Sequence, residues 1–158
     1  MPIDPQRFRQ TMGSFATGVT VVAARDAGGV LRGMTASSIA SLSLEPPMLL
    51  VCVGHDAAIH DALAGAPLFG LSVLAAGQGD LALRFATKGS QHFDDLDVGV
   101  TPGGLPLIRG AIAHVECRRD AIYPAGDHTI VTGIVEWAAL EAGRPLCYFQ
   151  SRFTELER

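Results

Sequence analysis

The alternation of apolar and polar positions predicts a mostly β chain with three short helices. Phe8, Met12 and Phe15 recur at helical spacing within residues 2–15. Asp4 followed by Pro5 supplies an N-cap and a first-turn proline. Residues 18–24, Gly-Val-Thr-Val-Val-Ala-Ala, are β-branched and apolar and predict a strand. Asp26-Ala27-Gly28-Gly29 then turns the chain into a second strand over 30–36. Further strands are predicted over 48–53, 68–74, 111–119, 129–140 and 146–149, with short helices over 57–64 and 80–87. The glycine- and proline-rich run from Ser90 to Pro106 reads as a loop. Six or seven strands joined mostly by turns predict an antiparallel barrel with helices packed outside it.

Composition narrows the class. The chain has 158 residues, 48% of them hydrophobic and 18% charged. That is one domain spanning 1–158, long enough to bury a core and too apolar for disorder. No apolar run reaches the ~20 residues of a membrane span, and residues 1–7 lack a secretory apolar stretch. Twelve basic against sixteen acidic residues give a net charge of −4, which presents no nucleic-acid face. Cys52, Cys117 and Cys147 sit singly in apolar runs without CxxC spacing. They read as buried thiols in strands of a cytoplasmic protein, with no disulfide or metal site. His55, His60, His92 and His114 are too scattered to serve as metal ligands.

The common catalytic motifs are absent: no GxGxxG between strand and helix, no P-loop, HExxH or GxSxG. Four other features remain. Residues 33–47 carry five hydroxyl side chains (Thr35, Ser37, Ser38, Ser41, Ser43) and no charge before Glu45. Small hydroxyl residues leave backbone amides accessible, which suits a planar polar ring or a phosphate. A serine-rich loop capping its own turns explains the same composition. Gly126-Asp127-His128 is either a plain hairpin turn or a device that places an imidazole at a cleft mouth. Arg84-Phe85 ends a helix, where it can pair with phosphate and stack on a ring, or simply anchor a helix terminus. Residues 148–153, Tyr-Phe-Gln-Ser-Arg-Phe, are dense in aromatics for a chain with only 6% of them.

Together these residues resemble the flavin reductase-like proteins, the small reductase components of two-component flavin-dependent monooxygenases. The carrying motifs are Phe8-Arg9, Thr17-Gly18-Val19-Thr20-Val21, Gly33-Met34-Thr35-Ala36-Ser37-Ser38 and Ser41-Leu42-Ser43-Leu44-Glu45-Pro46-Pro47. They continue through Gln78, Leu81, Arg84-Phe85-Ala86, Gly126-Asp127-His128 and Pro145-Leu146-Cys147-Tyr148-Phe149. The resemblance implies a split β-barrel that binds FMN or FAD, works as a homodimer and takes NADH or NADPH as hydride donor. It implies an NAD(P)H:flavin oxidoreductase that hands reduced flavin to an oxygenase partner. A non-catalytic flavin carrier or sensor on the same barrel is the alternative, and a split-barrel oxidase of a phosphorylated substrate ranks lower.

By resemblance, Gly33, Met34, Thr35, Ala36, Ser37 and Ser38 hold the flavin ring and ribityl chain. Cys52, Val53, Gly54 and Ala58 flank the flavin phosphate, and Arg84 and Phe85 contact the flavin. His128 is the catalytic candidate, facing the nicotinamide nucleotide together with Tyr148, Phe149, Gln150 and Ser151. The chain departs from the family where a Ser/Arg-type phosphate grip is common and His55-Asp56-Ala57-Ala58 stands instead. That departure implies weak flavin retention, or a preference set elsewhere, for instance by Arg84.

Overall fold

The computed structural model describes residues 1–89 and 93–156. Ser90 and Gln91, which begin the predicted loop, and His92 lie outside the described residues. Helix α1 (Pro5–Met12) leads into β1 (Thr17–Gly18), β2 (Thr20–Arg25), β3 (Leu31–Ala36), β4 (Ile39–Leu44) and β5 (Pro47–Gly54). Then come α2 (His60–Gly65), β6 (Leu68–Val73) and α3 (Gly79–Ala86). The chain ends through β7 (Val98–Val100), β8 (Pro106–Ile108), β9 (Ala113–Ala125), β10 (His128–Leu140), β11 (Leu146–Phe149) and β12 (Arg152–Glu155). Asp4 caps α1 as its position predicts, its carboxylate accepting from the Arg7 amide at 2.9 Å.

Seven antiparallel strands form the main sheet in the order β3-β2-β6-β9-β10-β5-β4. Its two edge strands, β3 and β4, are neighbours in the chain and only Ser37 and Ser38 lie between them. Three Cα steps of ~3.8 Å join Ala36 to Ile39, so the edges stand within roughly 11 Å at that end. The sheet must therefore curl on itself. Because β3 and β4 do not pair, the result is a barrel with a split, antiparallel throughout, as the sequence predicts.

Period-two alternation divides the core. Val22 and Ala24 of β2 join Val51, Val53, Phe69 and Val131 in one buried cluster, to which α2 adds Ala62 and Leu63. Val19 and Val21 point the other way, into a second cluster with Ala82 and Phe85 of α3 and Leu146 of β11. Helix α3 is thus fastened to the outside of β2 and β3.

The structure corrects three boundaries. Residues 39–44, read as part of a serine-rich loop, form edge strand β4. Serine composition signals turns, but an edge strand bathed in solvent tolerates hydroxyls on both faces. The predicted loop of 90–106 contains β7, which pairs with β8. It is held by Glu116, a buried side chain that accepts from the Gly103 amide at 3.1 and 3.0 Å and from the Thr101 hydroxyl. Strand β9 runs on to Ala125, because its exposed end pairs with β10 without needing an apolar face.

The thiols are free, with Cys117 and Cys147 buried and Cys52 half-buried. Burial, then the nearby charges of Glu116 and Glu136, pushes the Cys117 thiol up to about 12. At pH 8 only about one Cys117 in 10⁴ is thiolate, the reactive form. Iodoacetamide at pH 8 is therefore expected to spare Cys117 in the folded protein and to alkylate it after unfolding. Mass spectrometry of the labelled peptides checks this, and rapid native labelling would refute it.

Candidate functional site

The site is built where the barrel fails to close. Ser38 C=O accepts from the Cys52 amide at 3.0 Å, which ties the connection to β5. The amides of Ser37 and Ser38 themselves donate to no protein group among the described residues. Both residues are exposed, so two donors stand open in the split. Of the predicted stretch 33–38, these two line the larger opening, whereas Ala36 is buried and borders a smaller hollow of about 300 Å³ with Thr20 and Ile39.

The rest of that stretch is committed to the fold. Thr35 Oγ1 donates to the Ala82 carbonyl at 2.5 Å, docking β3 on α3. Met34 packs on the barrel core. A Cβ at Gly33 would lie 2.7 Å from the Phe93 ring and 2.8 Å from that of Phe85. Glycine there lets two aromatic rings approach the strand backbone. Phe85 itself is 2% exposed and stacks at 4.8 Å on Phe93, so its ring is a core element that supports β3. Arg84 is half-buried and its Nη2 donates to the Asp94 carbonyl.

A second group of predicted residues meets at the same end of β5, two residues beyond the Cys52 amide that ties Ser38. Gly54 and His128 are register partners, as are Val53 with Thr129 and Cys52 with Ile130. A Cβ at Gly54 would stand 3.7 Å from His128 Nε2, so the imidazole lies against bare backbone. His128 Nδ1 pairs with Asp127 Oδ1 at 2.7 Å, and the Asp127 carbonyl accepts from the His55 amide at 3.0 Å. The His128 hydrogen bond, then backbone, then the His128 charge hold the Asp127 carboxyl below its ordinary value. Asp56 meets Lys88 at 3.6 Å, bringing the chain's one lysine to this rim from the end of α3. Val53 is fully buried and Ala58 sits exposed in the turn before α2, so Val53 can meet a ligand only through its backbone.

The third group closes the cavity. Tyr148 of β11 pairs with Thr17 of β1 and with Phe153 of β12. Gln150 and Ser151 turn the hairpin at φ 47° and 62°, and the Gln150 amide donates to the Gly13 carbonyl at 2.8 Å. This pins the turn to the end of α1. Between them lies a cavity of about 540 Å³, walled by Phe8, Met12, Phe15, Leu50, Tyr148 and Ser151 and opening onto Ser37 and Ser38. Phe149 and Gln150 are exposed beside it.

Two features of this wall were not singled out as site residues. Thr17 borders the cavity, and its buried Oγ1 is the one buried side-chain polar atom without a partner among the described residues. The apolar face of α1 is left largely uncovered: no residue of the helix is buried, and Phe8, Met12 and, just past its end, Phe15 are 55%, 50% and 69% exposed. The helical spacing of those three residues is the signal that could have found the wall.

These hydroxyls, open amides and apolar walls suit a planar ring with a polar edge. Among the described residues no three His, Cys, Asp or Glu side chains gather as a metal site, and no helix is long and apolar enough to cross a membrane. The chain is similar to FMN reductase (NADH) SmoA of Agrobacterium fabrum, with 44% identity covering 96% of this chain and 86% of the relative. It is 41% identical to the reductase component of 4-hydroxyphenylacetate 3-monooxygenase of Thermus thermophilus, covering 96% of each. Among solved structures it superposes on the NADH:FAD oxidoreductase SgcE6 of Streptomyces globisporus C-1027, in complex with NAD and FAD fragments. That match has a TM-score of 0.91 and 41% identity and covers 99% of this chain and 97% of the other. Residues 12–157 match the family model described as a flavin reductase like domain, and the chain belongs to that family.

Proposed function

We propose that this chain is a single-domain, NAD(P)H-dependent flavin reductase that transfers a hydride to FMN or FAD and supplies reduced flavin to an oxygenase partner. The observation that carries the reading is the barrel split, where Ser37 and Ser38, with unpartnered amides, and Thr17 line an apolar-walled cavity. The SmoA and SgcE6 names favour NADH as donor. The Thermus relative, a reductase component, supports the oxygenase partner.

Bound flavin supplies the chemistry itself, accepting a hydride from the reduced nicotinamide. The chain's task is to bind, orient and exclude water. Ser37 and Ser38 amides would hold the polar edge of the ring as a pair of fixed donors. Gly33, Met34, Thr35 and Ala36 set the strand that presents them, with Phe85 fixing that strand from behind. Cys52, Gly54, Ala58 and Arg84 border the phosphate end, and Lys88 adds a cation at the same rim. His128 would donate to the nicotinamide nucleotide, with Tyr148, Phe149, Gln150 and Ser151 facing the same nucleotide. No side chain has to act as a nucleophile, which agrees with the absence of a catalytic triad motif.

The apolar face of α1 supports a homodimer: Phe8, Met12 and Phe15 are left in water by the single chain. Phe15→Glu is expected to shift the protein from twice the chain mass to one chain mass in light scattering. Wild type eluting as a monomer would remove this part of the reading. Free thiols without a disulfide are consistent with a cytoplasmic location.

The test is NADH consumption by the purified protein, with and without FMN, FAD or riboflavin. Turnover that rises with free flavin supports a reductase using flavin as substrate. Flavin binding without turnover would replace it with a carrier or sensor.

A further inference from the structure

A separate cavity of about 470 Å³ lies at the far end of β10, bordered by Arg109, His114, Trp137 and Glu141. His114 is the register partner of Ala139, at the opposite end of β10 from His128. The strand path between the two is roughly 36 Å at ~3.3 Å per residue. Nothing in the proposed reduction uses these residues.

His114 is 93% buried, being 7% exposed, yet only one of its ring nitrogens is occupied. Its Nδ1 stands 3.0 Å from Ser72 Oγ, and that oxygen already accepts from the Ile108 amide at 3.1 Å. The Ser72 hydroxyl hydrogen is therefore free to go to His114 Nδ1, which leaves the proton of a neutral imidazole on Nε2. Burial lowers the basicity of His114, partly offset by the charge of Glu141, and so favours that neutral ring. Nε2 has no hydrogen-bond partner among the described residues and belongs to a side chain bordering the cavity.

The other walls define the ligand. Trp137, Ala139 and Glu141 recur at strand spacing along the end of β10 and one residue beyond it, and because Ala139 pairs with His114, His114 lies diagonally across from Trp137. Arg109 is already answered by Asp97, Nε to Oδ2 at 2.8 Å, so no anion is called for, and Glu141 disfavours one. What remains is a donor, an acceptor and an indole.

We infer that this cavity is a binding site for a neutral phenol, whose hydroxyl accepts from His114 Nε2, donates to the Glu141 carboxylate and whose ring lies on Trp137. An ether cannot donate and a bare arene can do neither, so both are poorer ligands.

Trp137 is the only tryptophan of the sequence, and its indole N–H gives one signal in a ¹H–¹⁵N correlation spectrum. Titration with 4-methylphenol is expected to move that signal saturably. Binding of 4-methylanisole and toluene should be at least about tenfold weaker, a loss of roughly 1.4 kcal/mol. Glu141 is exposed, so Glu141→Ala should fold, keep NADH-dependent flavin reduction and lose about tenfold in affinity for 4-methylphenol. Equal affinity for the three probes, no saturable shift, or unchanged affinity in Glu141→Ala would each overturn the assignment.

Discussion

Replacing Gly133 by alanine is expected to destabilise the fold by about 3 kcal/mol, the upper end of the usual overpacking cost. Gly133 lies on β10 between Leu49 of β5 and Arg119 of β9. A Cβ there would meet two carbons of the Phe69 ring at 2.6 Å and Cys117 Cβ at 2.8 Å. Neither can yield cheaply. Cys117 Cβ is fixed by its strand, and Phe69 is fully buried inside the barrel cluster. At this chain length the loss corresponds to a fall in Tm of roughly 6–12 °C. Gly65→Ala, where the new methyl meets nothing within 4 Å, should stay within about 0.5 kcal/mol of wild type. Shrinking the obstructing ring supplies a second check. Phe69→Leu is itself destabilising, but combined with Gly133→Ala it should cost less than the sum of the two. An unchanged melting temperature in Gly133→Ala would mean that the barrel is looser than its contacts indicate.

The fold was legible wherever one face of an element is buried. Strands β2, β5, β6, β10 and β11 alternate or run apolar because they wall a core, and the sequence marks each of them. What escaped reading either lacks an apolar face or shows it only in short pieces. Edge strand β4 is mostly exposed, β12 is a four-residue partner for β11, and the three-residue strands β7 and β8 are fastened by Ile108 and Val98 in the second core cluster and by the Glu116 carboxylate. The candidate site divides in the same way. Ser37 and Ser38 were visible as small hydroxyl residues, and His128 as the residue after a tight turn. The composition of 33–38 could not show that Thr35 is spent on α3 or that Gly33 exists for Phe85 and Phe93. Nor could it show that Thr17 would stand unpartnered, since that follows from how β1 meets β11 across a long stretch of chain.

His128→Ala is expected to raise KM for NADH about tenfold or more and leave the dissociation constant of flavin within about twofold, since a lost hydrogen bond to a charged partner is worth ~1.5–3 kcal/mol. The asymmetry follows from placement. His128 stands on β10 over Gly54, whereas the open amides of Ser37 and Ser38 belong to the β3–β4 connection, which is tied to β5 two residues earlier at Cys52. Removing the imidazole therefore touches the nucleotide and spares the ring pocket. Asp127 orients that imidazole through Nδ1, leaving Nε2 for the ligand. Its carboxyl is held below the ordinary 3.8. The sign is that of a depressed acid: the Asp127 carboxylate is fully present above 3.8, and the pairing fades only as pH falls through the lower folded value. Loss of NADH use between pH 8 and 5 is therefore not protonation of Asp127, and Asp127→Asn, which removes the charged acceptor that orients the imidazole, should lower NADH use throughout that window. Steady-state rates with NADH varied, beside flavin fluorescence quenching, separate the two bindings. Equal losses of NADH use and flavin affinity in His128→Ala would place this histidine in the flavin pocket instead.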